Sequence, residues 1–125
     1  MMPAFELVDD RRAVYKQTDA LSLIADNCWN QGVVIGVEKP VPSPGLVNAL
    51  QGRLEIAGRP PLEGGADGPL EALAWVTNLI ASRHGELSRG MIVMTGSLVP
   101  TTAIYPGETA VFVVVGLGEV RTAVV

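Results

Sequence analysis

Cysteine occurs once, histidine once, and aromatic residues make up only 5% of this 125-residue chain. A lone Cys28 excludes an internal disulfide and a cysteine-rich zinc site, and its apolar sequence neighbours predict an inert core thiol. The one histidine, His84, stands near a predicted helix end, where it complements the helix dipole, and Ser97 lacks a G-x-S-x-G frame, so a serine triad is excluded. There is no Walker sequence. Gly116-Leu117-Gly118 has no helix after it, which rules out a dinucleotide loop. Basic residues are scarce as well: nine Lys and Arg face thirteen Asp and Glu, for a net charge of -4. That balance lacks the positive footprint phosphate backbones require, so no nucleic-acid partner is expected. The longest apolar run, Ala110 to Val115, falls far short of the ~20 residues that cross a bilayer. No basic and apolar leader opens at Met1, so a cytoplasmic protein without membrane contact is expected.

What the chain has is apolar bulk: 48% hydrophobic against 18% charged residues, with mean hydropathy +0.33. This excludes a disordered chain and suits one core, so a single domain over residues 1–125 is expected. Such apolarity exceeds what a small monomer buries, which predicts a homo-oligomer or a complex with a complementary chain.

The periodicities predict an α+β fold. Pro3 to Val8 alternates as a strand, with Phe5 and Leu7 on one face and Glu6 and Val8 on the other. Thr18 or Asp19 caps a short helix with stripe Leu21, Ile24, Ala25 and Cys28. Gly32 to Val37 reads as a strand, Pro44-Gly45 as a turn, and Arg53 to Ile56 as a half-exposed strand. Gly58 to Gly68, with four glycines and two prolines, reads as a mobile loop. A helix from Asp67-Gly68-Pro69 to about Arg83 carries apolar residues on more than one stripe, predicting packing on two sides. Strands follow at Met91 to Thr95, Thr109 to Val115 and Val120 to Val125, the last two as a hairpin through Gly116-Leu117-Gly118.

Two places have the residue types for chemistry. Glu6, Asp9 and Asp10 place three carboxylates within five residues, either a fragment of a hard-cation site or a solvated acidic turn paired with Arg11 and Arg12. Thr95-Gly96-Ser97 offers backbone N–H groups and two hydroxyls, either to receive a carboxylate or oxyanion or as a simple turn.

Six segments in order carry a resemblance: Pro3 to Arg11, Ile24-Ala25-Asp26-Asn27, Gly68 to Asn78, Met94 to Leu98, Pro106-Gly107-Glu108-Thr109 and Gly116-Leu117-Gly118. The series resembles the hydratase and decarboxylase branch of the fumarylacetoacetate hydrolase superfamily, which includes 2-oxopent-4-enoate hydratases and 4-oxalocrotonate decarboxylases. The resemblance implies a mixed, folded-over β-sheet structure with flanking helices, like the C-terminal half of such an enzyme and truncated at its N-terminus. It also implies a magnesium or manganese ion that holds a small 2-oxo or 2-hydroxydienoic acid while water is added or carbon dioxide lost, as in the catabolism of aromatic compounds. By that resemblance Glu6 is a metal ligand, Thr95 and Ser97 are catalytic, and Gly96, Asp9, Arg11, Asp26 and Asn27 bind substrate. The family's paired E-x-E ligands and its upstream lysine have no counterpart in this sequence, Asp10 stands where Ser is usual, and Asp67-Gly68 replaces a Gly followed by Asn or His. Activity is therefore expected to need another polypeptide or a reduced site. The alternatives are a non-catalytic paralogue acting as a structural or small-acid-binding subunit, and a fragment that folds poorly.

Overall fold

The computed structural model describes all residues, Met1–Val125, as helices combined with two antiparallel sheets. The first sheet pairs β1 (Ala4–Val8) with β2 (Asn30–Ile35), Glu6 lying opposite Val33, and its register shifts between Leu7 and Val8. The second has the order β4-β3-β5-β6, formed by β3 (Gln51–Ile56), β4 (Leu62–Gly65), β5 (Thr109–Val114) and β6 (Gly118–Ala123). Three helices connect them: α1 (Ala20–Ala25), α2 (Pro44–Val47) and α3 (Pro69–Ser82).

Period-two alternation decides which face of the second sheet is buried. Leu54, Ile56, Ala110, Phe112, Val114 and Val120 point inward, while Arg53, Glu55, Glu119 and Arg121 point to solvent. On the outer face Arg53 bridges Glu55 at 2.7 Å and Glu63 at 2.9 Å, exposed pairs that contribute little to stability. Phe5 brings the first sheet onto this core, its ring 5.9 Å from that of Phe112. A Cβ on Gly36 would come within 2.8 Å of the Glu119 carbonyl oxygen, so the close approach of β2 to β6 depends on glycine there.

Asp19 caps α1 as expected, its Oδ1 accepting from the Ser22 N–H at 2.8 Å. Five expectations need correction. Met91 to Thr95 forms no strand, because no other strand lies alongside to share a hydrogen-bond ladder. The expected loop from Gly58 to Gly68 contains β4, since Leu62 can enter the buried face opposite Leu54. Pro44 starts helix α2, its fixed φ suiting the first helical turn. Helix α3 begins after Gly68 (φ 55°) without a side-chain cap, and its large apolar residues are half-buried except Trp75, which is 66% exposed. Cys28 is exposed, because it lies in a tight turn that projects it outward instead of in the α1 stripe. That stripe is itself open, with Leu21 77% and Ile24 71% exposed. No helix is long and apolar enough to cross a membrane.

Candidate functional site

The expected site residues fall into two groups. The first surrounds the end of β1 and the start of β2. Asp9 donates its N–H to the Trp29 carbonyl at 3.0 Å, and the Trp29 N–H donates to Asp26 at 2.9 Å. The Arg11 guanidinium pairs with the Asp26 carboxylate. Asp9, Arg11, Asp26 and Asn27 are thereby brought into one corner, although Arg11 stands 15 positions from the next of them in sequence.

Backbone strain is concentrated in this corner. Arg11 and Arg12 have φ of 49° and 62°, and Asn27, Cys28 and Trp29 have φ of 49°, 51° and 60°. Left-handed conformation costs a side-chain-bearing residue roughly 1–2 kcal/mol, so five such residues persist only where neighbouring contacts impose them. Those contacts are visible. The Asp9 Oδ1 accepts from the Arg11 N–H and the Asp10 Oδ1 from the Arg12 N–H, each at 2.9 Å. The Tyr15 hydroxyl donates to Asp10 Oδ2 at 2.6 Å, and the Tyr15 ring meets Trp29 edge to face at 5.4 Å. The Tyr15 hydrogen bond, helped by the Arg12 N–H, holds the Asp10 carboxyl below the usual carboxylate range and raises the Tyr15 phenol. Sequence reasoning named neither Tyr15 nor Trp29, because an aromatic pair fourteen residues apart has no periodic signature.

Glu6 lies one strand face away from this corner. It is exposed on the outer face of β1, beside its cross-strand partner Val33, and its Oε1 accepts from Asn30 Nδ2 at 3.2 Å. Asp10 does not share that face, because β1 ends at Val8 and the chain then turns. No three Asp, Glu, His or Cys side chains converge anywhere in the chain. A hard divalent cation takes six or more oxygen ligands, and with Asp9 and Asp10 bonded to backbone and Tyr15, Glu6 by itself does not fit one. An ion at Glu6 therefore needs ligands from outside these residues.

The second group is Thr95-Gly96-Ser97. With Ala66, Asp67, Pro69 and Leu98 these residues line a shallow recess of about 180 Å³ beside the start of α3. The Ser97 hydroxyl donates to the Val99 carbonyl at 2.6 Å, so its proton braces the turn while the oxygen keeps its capacity to accept. A slot in the sheet seats the segment. Gly52 and Gly64 are cross-strand partners; a Cβ on Gly52 would lie 3.0 Å from the Leu98 Cβ, and one on Gly64 would overlap the Leu98 carbonyl oxygen. Only paired glycines let the backbone at Leu98 approach so closely. No hydrogen bond or ion pair joins this turn to Glu6 or to the Arg11 corner.

A further anchor, also absent from the sequence reading, holds the Ala103–Glu108 segment. Glu108 takes Arg59 in a bidentate pair, Nη2 lying 2.5 and 2.6 Å from its two oxygens, while Arg59 Nη1 donates to the Ala103 carbonyl at 2.7 Å. The Tyr105 N–H donates to Glu108 at 2.8 Å, and the Tyr105 ring lies under the guanidinium at 5.3 Å. Arg59 first, and then the Tyr105 N–H, hold the Glu108 carboxyl below its usual range. The Pro106-Gly107-Glu108-Thr109 segment thus has a structural role in this chain.

Comparison with known proteins returns the relatives that the six segments resemble. No family model matches. The chain is 28% identical over 98% of its length to a 2-keto-4-pentenoate hydratase from Paraburkholderia xenovorans (strain LB400), covering 46% of that protein. It is 27% identical over 96% of its length to a 4-oxalocrotonate decarboxylase from Pseudomonas putida, covering 47% of it. Among solved structures, 4-oxalocrotonate decarboxylase from Pseudomonas putida G7, complexed with magnesium and adipate, superposes with TM-score 0.84 at 24% identity, over 99% of this chain and 48% of that one. The same decarboxylase with calcium and acetate gives 0.81. The chain therefore has the fold of about half of that decarboxylase, and spans about half the length of the curated relatives it matches.

Proposed function

We propose that this chain is the substrate-facing part of a lyase for small 2-oxo or 2-hydroxydienoic acids, a hydratase of 2-hydroxypenta-2,4-dienoate type or the related decarboxylase. The observation that carries the reading is the corner in which strained backbone holds Arg11, Asp26, Asp9 and Asn27 together. Strain maintained at this density serves to fix side-chain positions, and this stretch is among those that resemble the relatives. The relatives' structures hold magnesium or calcium with organic acids, which supports a divalent ion and a small carboxylate as the ligand classes.

In this reading Arg11 supplies positive charge for the acid, its orientation set by Asp26, and Asn27 supplies an amide with both donor and acceptor. Thr95, Gly96 and Ser97 line the pocket, and Ser97 accepts a hydrogen bond from substrate while its own proton stays on Val99. Magnesium or manganese, when bound, would supply a Lewis acid for the 2-oxo group. Because Glu6 alone does not fit that ion, catalysis depends on ligands from a partner, and the chain acts within a larger assembly.

The test is turnover of 2-hydroxypenta-2,4-dienoate, followed by ultraviolet absorbance, with magnesium or manganese and with or without a full-length relative as the complementing chain. Metal-dependent turnover that is lost in Arg11→Met supports the reading. Absence of turnover under every condition, with no binding of adipate to the folded protein, overturns it.

A further inference from the structure

The ladder between β1 and β2 ends at the Val8 and Asn30 pair, its register already shifted after Leu7. Beyond that point the turn carrying Arg11 and the turn carrying Asp26 to Trp29 are no longer held together by a sheet. One backbone bond crosses between them, from the Asp9 N–H to the Trp29 carbonyl at 3.0 Å. The Arg11–Asp26 pair crosses as well, but its side chains are 50% and 33% exposed. An ion pair that open to water does little to fix a long arginine in one geometry.

Tyr15 supplies a third link, and it touches both turns. The chain folds back after Asp10, the Ala13 N–H donating to the Asp10 carbonyl at 2.8 Å and the Gln17 N–H to the Val14 carbonyl at 2.7 Å, so that the phenol returns to Asp10. Its hydroxyl donates to Asp10 Oδ2 at 2.6 Å while Asp10 Oδ1 accepts from the Arg12 N–H, so this carboxylate is held at both oxygens immediately beside Arg11. The ring meets Trp29 edge to face at 5.4 Å. Tyr15 is itself 67% exposed and takes no part in the hydrophobic core. Its contacts are therefore not core filling; they tie the Arg11 turn to the turn that follows Asp26.

We propose that Tyr15 is a positioning residue for Arg11: it clamps the Asp10–Arg12 turn to the Asn27–Trp29 turn and so holds the Arg11 guanidinium beside Asp26, in the orientation that receives a small carboxylate. The proposal rests on the functional reading above, which assigns that acid to Arg11. Tyr15 acts through Arg11 and makes no contact of its own with substrate.

Adipate titrations followed in proton–nitrogen correlation spectra test the clamp in the parent, Tyr15→Phe, Arg11→Met and the double variant. Tyr15→Phe keeps the ring on Trp29 and removes the bond to Asp10, and because the residue is largely exposed the urea midpoint should stay close to that of the parent. The adipate dissociation constant should rise about threefold to tenfold. The Arg11 Nε–Hε resonance should move toward that of Arg12, whose side chain enters none of the ion pairs. Arg11→Met should weaken adipate at least as much, and adding Tyr15→Phe to it should cost nothing further, since no guanidinium is left to place. A merely structural role would instead add the two losses. Adipate binding as tight in Tyr15→Phe as in the parent, an Arg11 resonance that stays in place, or additive losses in the double variant would each overturn the clamp while leaving the functional reading intact. A parent that binds no adipate would overturn the clamp too, and the turnover assay then decides the functional reading separately.

Discussion

Adding one methyl group at Gly64 tests how the fold places the Thr95-Gly96-Ser97 turn. In Gly64→Ala the new Cβ overlaps the Leu98 carbonyl oxygen, and that atom is backbone, so it cannot rotate aside. Either the segment from Ser97 to Val99 lifts or edge strand β4 bows outward. Overpacking of this kind costs about 1–3 kcal/mol. The substitution also stiffens the unfolded chain, which offsets about 0.4–1 kcal/mol because Gly64 has no positive φ to forbid alanine. The net expectation is a loss of about 1–2 kcal/mol, which lowers the urea midpoint by roughly 0.5–1 M for a chain of this size. Gly45 provides the control. It lies in α2 with no atom within 4 Å of a Cβ and no positive φ, so Gly45→Ala should be neutral or stabilising by up to about 1 kcal/mol. Both variants and the parent are unfolded in urea at one protein concentration, since association shifts the apparent midpoint. Amide exchange at Ser97 to Val99 should quicken in Gly64→Ala alone. If Gly64→Ala matches or exceeds the parent in midpoint, with exchange unchanged, the turn is not seated in the Gly52–Gly64 slot and the argument fails.

Replacing Glu6 by Gln keeps the side-chain shape and removes the charge, so complemented turnover should collapse while the urea midpoint moves by less than about 0.5 kcal/mol equivalent; unchanged turnover would remove the metal-ligand role. Ser97→Ala should raise the catalytic barrier by about 1–3 kcal/mol with metal affinity unaltered, as read from kcat/KM and from metal titration. Phe112→Leu and Phe5→Leu, measured singly and together, should show a coupling of about 0.5–1.5 kcal/mol if the ring pair at 5.9 Å joins the two sheets, and no coupling if it does not. The Glu108 carboxyl is held below its usual range in the folded chain, so it binds fewer protons than in the unfolded one. Its contribution is fully present above the unfolded value of about 4.3 and is lost as pH falls through the lower folded value. Glu108→Gln should therefore flatten the fall in thermal midpoint below about pH 4, and an identical acid profile would show that the Arg59 pair does not matter.

Local patterning and sequence resemblance already contained much of the fold. Alternation at Phe5-Glu6-Leu7 survives into β1, and the apolar run from Ala110 to Val115, closed by Gly116, survives into β5, because a strand needs only local apolar patterning to declare itself. Asp19 as a cap and Gly116 to Gly118 as a hairpin turn were legible for the same reason, since their chemistry acts over two or three residues. The candidate residues Glu6, Asp9, Arg11, Asp26, Asn27 and Thr95 to Ser97 came from the order of short segments, which identifies positions without saying which of them meet.

Tertiary structure alone settled what depends on a neighbour far away in the chain. Met91 to Thr95 has the composition of a strand and no strand beside it, whereas Leu62 to Gly65 looked like loop and became β4 because β3 offered it a ladder and a glycine partner. The joining of Arg11 to Asp26, the left-handed run from Asn27 to Trp29, and the Arg59 clasp on Glu108 each require residues 15 to 49 positions apart, or the strain those contacts sustain. Helix α3 shows the division most directly. Its apolar stripes are written in its residues, but whether a stripe is buried is a property of what stands opposite, and within this chain Leu70, Leu73, Val76, Leu79 and Ile80 are half-buried while Trp75 faces solvent.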